Sequence, residues 1–74
     1  MKTDTKVLKE IGERIKLLRQ KKGYNSYESF AIDNDLSRMQ YWRIEKGLSN
    51  ITIKSLTRIL KIHNITIEDF FAKK

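Results

Sequence analysis

The guanidinium of arginine carries parallel N–H donors that match O6 and N7 of guanine, and a good bidentate contact discriminates one base by about 1–3 kcal/mol. Arg38 and Arg43 stand on one short stretch, Leu36-Ser37-Arg38-Met39-Gln40-Tyr41-Trp42-Arg43-Ile44-Glu45-Lys46-Gly47. With about 100° of rotation per residue, Leu36, Tyr41 and Ile44 fall towards one side, and Arg38, Met39, Trp42, Arg43 and Lys46 spread over the other. The first side reads as core. The second joins three cations to two large apolar side chains, a combination left in water where something docks. The stretch therefore predicts a helix that enters the major groove of DNA, with Arg38 and Arg43 reading bases or, alternatively, meeting only phosphate or solvent.

Two apolar residues of that face carry double readings. Met39 packs on a thymine methyl or belongs to the core. Trp42 meets the sugar-phosphate wall or a protein partner, because Tyr41 fills the inward position; the structural alternative is that it shields Leu48 or covers the connecting loop.

The elements that must position this face are legible from caps and periodicity. Ser37 with Gln40 forms a capping box, Leu36 and Tyr41 sit where a hydrophobic staple forms, and Gly47 offers a left-handed stop. Upstream, Leu8, Ile11, Ile15 and Leu18 mark one face of a first helix over about 5–22, with Glu10 and Arg14 as a surface pair and Gly12 at a close helix crossing. Lys21 and Lys22 complement its end, Gly23 stops it, and Arg19 lies just past the apolar stripe. Asn25 and Glu28 give a second capping signature, followed by Tyr27, Phe30 and Ala31 on one face, and Asn34-Asp35 tolerates a left-handed turn. Two helices joined by so tight a turn make a helix-turn-helix over about 26–46.

Downstream, Thr52 caps a fourth helix with Ile53, Leu56, Ile59 and Leu60 on its buried face, ending near His63-Asn64. His63 reads as a packing and capping residue, with a pH switch as the alternative. Thr66 and Asp69 open a last short helix, Ile65 and Phe70 staple it, and Lys73-Lys74 complements its end. Of Phe70 and Phe71, either both are buried or Phe71 stays exposed as a dimer contact. The expectation is an all-α, compact five-helix domain filling residues 1–74.

Composition narrows the function. Sixteen Lys and Arg against nine Asp and Glu leave a net charge of +7 on 74 residues, which points to a polyanionic partner, with a merely solubilising surface charge as the alternative. A chain of this length buries about 60–65% of its unfolded surface and has room for one domain. No cysteine and a single histidine argue against a metal centre, and neither a glycine-rich phosphate loop nor a carboxylate pair at metal spacing is present, so neither a cofactor nor an enzyme is expected. No apolar run approaches a membrane span and the N-terminal stretch lacks the apolar run of a signal peptide, so a cytoplasmic protein is expected.

Ile11-Gly12-Glu13-Arg14-Ile15 with Leu18-Arg19, Gly23, Phe30-Ala31, Leu36-Ser37-Arg38, Arg43-Ile44-Glu45-Lys46-Gly47, Leu56 and Ile65-Thr66 together resemble the lambda-repressor-like, or Cro-repressor-like, helix-turn-helix domains of the XRE family. The resemblance covers nearly the whole chain and is most specific from Phe30-Ala31 to Glu45-Lys46-Gly47. It implies base contacts from Arg38, Met39 and Arg43, phosphate contacts from Asn25, Ser26, Lys46 and Asn50, and a buried pair between Arg19 and Glu45. Asp35 departs from the glycine usual in that turn, one extra residue lies between Gly23 and Phe30, and His63 takes a usually apolar position.

The function expected is a sequence-specific regulator of transcription that binds double-stranded DNA through the helix at about 38–46. It would act as a homodimer on a palindromic operator, in a bacterial or phage setting at the nucleoid. The alternative is a protein-interaction module of antitoxin or polymerase-contacting type that presents Met39 and Trp42. A basic first helix lying on an anionic membrane is the weakest reading, because its apolar face is needed for the core.

Overall fold

A computed structural model describes residues 5–72, in which five helices follow one another: α1 (Thr5–Lys21), α2 (Tyr27–Asp33), α3 (Arg38–Glu45), α4 (Ile53–Ile62) and α5 (Ile67–Phe71). The pairing of Lys73-Lys74 with the end of α5 lies outside the described residues.

Local hydrogen bonds account for the boundaries. Ser26, Ser37, Thr52 and Thr66 have extended backbones, and each hydroxyl accepts from the amide three residues on, which satisfies a donor left over at the helix start. The stops share one geometry. Gly23, Asp35, Gly47 and Asn64 all have positive φ, and the next residue's N–H reaches back to a carbonyl of the last turn: Tyr24 to Arg19, Leu36 to Ala31, Leu48 to Arg43, and Ile65 to Leu60. Two of these left-handed positions are glycine; Asp35 and Asn64 are residues that tolerate the conformation.

One cluster of Ile15, Phe30, Ala31, Tyr41, Leu56, Ile59, Leu60 and Phe70 forms the core, with Ile11, Leu18, Leu36, Ile44 and Ile65 packed around it. α3 is held against both α1 and α2. The crossing with α1 passes over Gly12, where a Cβ would lie 2.5 Å from the carbonyl oxygens of both Ile44 and Glu45. A side chain there would therefore push α3 outward.

Several boundaries and contacts differ from the sequence-based expectations. α1 ends at Lys21. The cap of α2 is Ser26, whose Oγ accepts from the Ser29 amide at 3.1 Å, so Asn25 lies outside the helix. In the loop before that cap, Arg19 donates to the Tyr24 carbonyl at 2.9 Å, a contact no local pattern shows. Arg14 turns from Glu10 to Phe70, with its guanidinium carbon 5.2 Å from the ring centroid, a cation–π approach. Ile53 is 67% exposed, because the whole first turn of α4 overhangs the core edge and burial begins at Leu56. Only the Gln40 amide half of the capping box at Ser37 is formed.

Candidate nucleic-acid interface

The eight residues of α3 divide as their rotation requires. Tyr41 and Glu45 are buried, Ile44 is half-buried, and Arg38, Met39, Gln40 and Arg43 are exposed. Arg38 opens the helix directly after the Ser37 cap, and Met39 beside it is 64% exposed, which removes it from the core. Trp42 is half-buried; Leu48, the residue it would shield, stays 55% exposed.

The far end of α3 is tied to α1 by charge. Arg19 Nε donates to Glu45 Oε2 at 2.7 Å and Arg19 Nη2 to Glu45 Oε1 at 3.2 Å, while Nη1 bonds the Tyr24 carbonyl. The fork geometry of guanidinium on carboxylate is the strong form of this contact. The bond to Glu45 holds the Arg19 guanidinium protonated, above its ordinary value, against the opposing effect of burial. Burial pushes the neighbouring Tyr41 phenol up, and Glu45 adds to the shift, so the hydroxyl stays neutral. Glu45 is the one carboxylate in α3, and Arg19 draws it inside. The exposed face of the helix is left with arginines and no acid.

The remaining residues lie around this helix. Asn25 is exposed in the loop before α2, and Ser26 is half-buried with its hydroxyl engaged as the cap. Lys46 caps the end of α3 and lines a cleft of about 260 Å³ with Lys9, Glu13, Lys16 and Glu45. Asn50 is exposed in the α3–α4 loop. Lys9 and Lys16 next to Lys46 are cations that sequence reasoning passed over; both lie on α1, and only its packing brings them to the end of α3. Gly47 makes that approach possible, since a Cβ there would lie 2.8 Å from the Lys9 Cα.

On another face, Phe70 is buried while Phe71 is 45% exposed, their rings edge to face at 5.0 Å. Phe71 borders an open groove of about 840 Å³ between α1 and α5, lined also by Val7, Ile11 and Arg14. His63 stacks flat on Phe30 at 5.3 Å, and its buried Nε2 has no hydrogen-bond partner among the described residues. Burial lowers its pKa, with the Lys22 charge adding to the effect. Among the described residues no group of three His, Cys, Asp or Glu side chains gathers as a metal site, and no helix is long and apolar enough to cross a membrane.

Two curated relatives match the chain. It is 38% identical over 61 residues to control protein C.MunI from a Mycoplasma species, an alignment covering 82% of each chain. It is 42% identical over 50 residues to the plasmid copy control protein CopR of Streptococcus agalactiae, covering 68% of this chain and 54% of that protein. The chain thus spans about half the length of the copy control protein. No protein-family model matches the chain, and no solved structure does.

Proposed function

Because this chain belongs to the family of the control protein C.MunI, we propose that it is a DNA-binding transcriptional regulator whose α3 enters the major groove. The observation that carries this reading is the division of α3. Its one carboxylate is buried against Arg19, while Arg38, Met39 and Arg43 are exposed together on a chain of net charge +7. Arg38 and Arg43 take guanine edges, and Met39 packs on a thymine methyl. Lys46, Asn50, Asn25 and the half-buried Trp42 meet the backbone; Ser26 contributes through the start of α2, since its hydroxyl is occupied. Such phosphate contacts orient a protein on the duplex without reading sequence.

The regulator acts as a homodimer, paired through the α1–α5 face where Phe71 is exposed, on an operator with two-fold symmetry. Regulation of a replicating or mobile unit is consistent with the name of the copy control relative.

In-vitro selection from a random duplex library near physiological salt tests the proposal. Enrichment of a palindrome with guanines in each half-site is the expected result. Binding that enriches nothing and survives only at low salt would reduce the basic face to an electrostatic one. Exposed Met39 would then favour the second reading, a protein-interaction module on the same scaffold.

A further inference from the structure

α3 is fixed at its end by Arg19, and its beginning is held by a different arginine that no part of the helix-turn-helix supplies. Asp35, in the turn between α2 and α3, has φ 59°, a left-handed conformation that costs a residue with a Cβ more than it costs glycine. Arg58 of α4 donates from Nη2 to the Asp35 carbonyl at 3.0 Å, across 23 residues of chain. The bond goes to the backbone of Asp35 and not to its carboxylate.

The base of the Arg58 side chain is firmly placed, since Leu56, Ile59 and Leu60 around it in α4 are core residues. Its head lines a small cleft of about 70 Å³ with Leu36, Ser37, Gln40, Tyr41 and Ile44, so it sits against the first turn of α3. The backbones of α3 and α4 stay apart and core side chains fill the space between them, Tyr41 against Leu56, Ile59 and Leu60, so at the edge of that packing only a long side chain such as Arg58 reaches the turn before α3. A guanidinium on a carbonyl is a charge-assisted bond, stronger than a neutral one.

We propose that Arg58 is a positioning residue for DNA recognition: by holding the Asp35 carbonyl it locks the left-handed turn and sets the angle at which Arg38 and Met39 meet the duplex. The proposal rests on the DNA-binding reading above. It accounts for a turn that works without glycine, because the conformation a glycine would adopt freely is held here from outside the motif. Arg58 need not touch DNA for this.

The test uses the duplex that selection enriches and four proteins besides wild type: Arg58→Met, Arg58→Lys, Asp35→Gly, and Arg58→Met with Asp35→Gly. Arg58 is exposed and outside the core, and circular dichroism checks that each variant is folded. Arg58→Met should weaken specific binding by about five- to tenfold, as loss of one solvent-exposed hydrogen bond predicts, with non-specific binding and the salt slope little changed. Arg58→Lys should recover part of the loss. Asp35→Gly should bind normally, and in its background Arg58→Met should cost little, because glycine takes the turn unaided.

An Arg58→Met loss that is undiminished in the Asp35→Gly background and comes with a salt slope lower by about 0.9 would make Arg58 a phosphate contact and overturn the proposal. No change in Arg58→Met would overturn it as well, while leaving the DNA-binding reading intact. If wild type enriches no duplex at all, the underlying reading fails and this proposal with it.

Discussion

Arg19 of α1 and Glu45 at the end of α3 form a buried, doubly bonded ion pair, 2.7 and 3.2 Å, between residues 26 apart in the chain. Both groups have lost water, so the pair is best judged by what happens when it is broken. Removing one partner leaves a buried charge alone and costs about 3–5 kcal/mol, whereas replacing both by apolar residues is often near neutral. Urea denaturation at equilibrium should show Arg19→Met and Glu45→Gln each losing about 3 kcal/mol or more, and Arg19→Met with Glu45→Leu losing less than either. Additive losses would mean that the two charges act independently.

Gly12→Ala is expected to destabilise although alanine is the better helix former by about 1 kcal/mol. The new Cβ would meet two backbone carbonyls of α3 at 2.5 Å, and backbone cannot step aside as a side-chain tip can. Thermal unfolding should register a net loss of about 1–3 kcal/mol, the range for overpacking. An unchanged or raised midpoint would show that α3 is free to shift.

On the duplex, the exposed cations should separate by role. Arg43→Ala is expected to relax preference at one base position, by about 1–3 kcal/mol. Lys46→Ala should weaken all sequences alike and lower the salt slope by about 0.9. Competition binding with single-base variants of the site, repeated at several salt concentrations, distinguishes the two; a uniform effect of Arg43→Ala would assign it to phosphate.

The two adjacent phenylalanines should behave oppositely. Phe70→Ala opens a cavity in the core and should cost about 3–5 kcal/mol. Phe71→Ser should leave the fold intact by circular dichroism and shift a dimer towards monomer in sedimentation velocity, lowering the unfolding midpoint only as far as the lost association requires, since the ring is exposed on the face proposed to pair. A wild-type protein that stays monomeric at all concentrations would remove that face from the mechanism.

His63 predicts a pH dependence of known sign. Burial against Phe30, aided by Lys22, puts its folded pKa below the ordinary histidine value of 6.5, so the unfolded chain binds the proton first as pH falls. Stability is therefore full above about pH 6.5 and declines below it until the lower folded pKa is passed, with a slope of at most about 1.4 kcal/mol per pH unit. Unfolding measured from pH 7.5 to 5 should lose this component in His63→Phe. A wild-type profile flat across that window would contradict it.

Much of the fold is written locally. Ser37, Thr52 and Thr66 cap the helices that their spacing predicts, and Gly23, Asp35, Gly47 and Asn64 supply the left-handed stops, because caps and stops are settled by hydrogen bonds within a few residues. The choice of Ser26 over Asn25 escapes such reading. Both are good caps, and the loop that precedes them is tied to α1 through Arg19 and the Tyr24 carbonyl, a contact that no capping pattern contains.

Residue order is enough to establish five helices, their apolar faces and the outward side of α3 that carries Arg38, Met39 and Arg43, since helical rotation assigns residues to sides. Packing of the helices settles the rest: Gly12 lies under α3, Lys9 and Lys16 join Lys46, Ile53 overhangs the core, Phe71 and not Phe70 is exposed, and Arg58 holds Asp35. Pairing across 23 or 26 residues follows from how helices cross, and no period of a single helix contains that information.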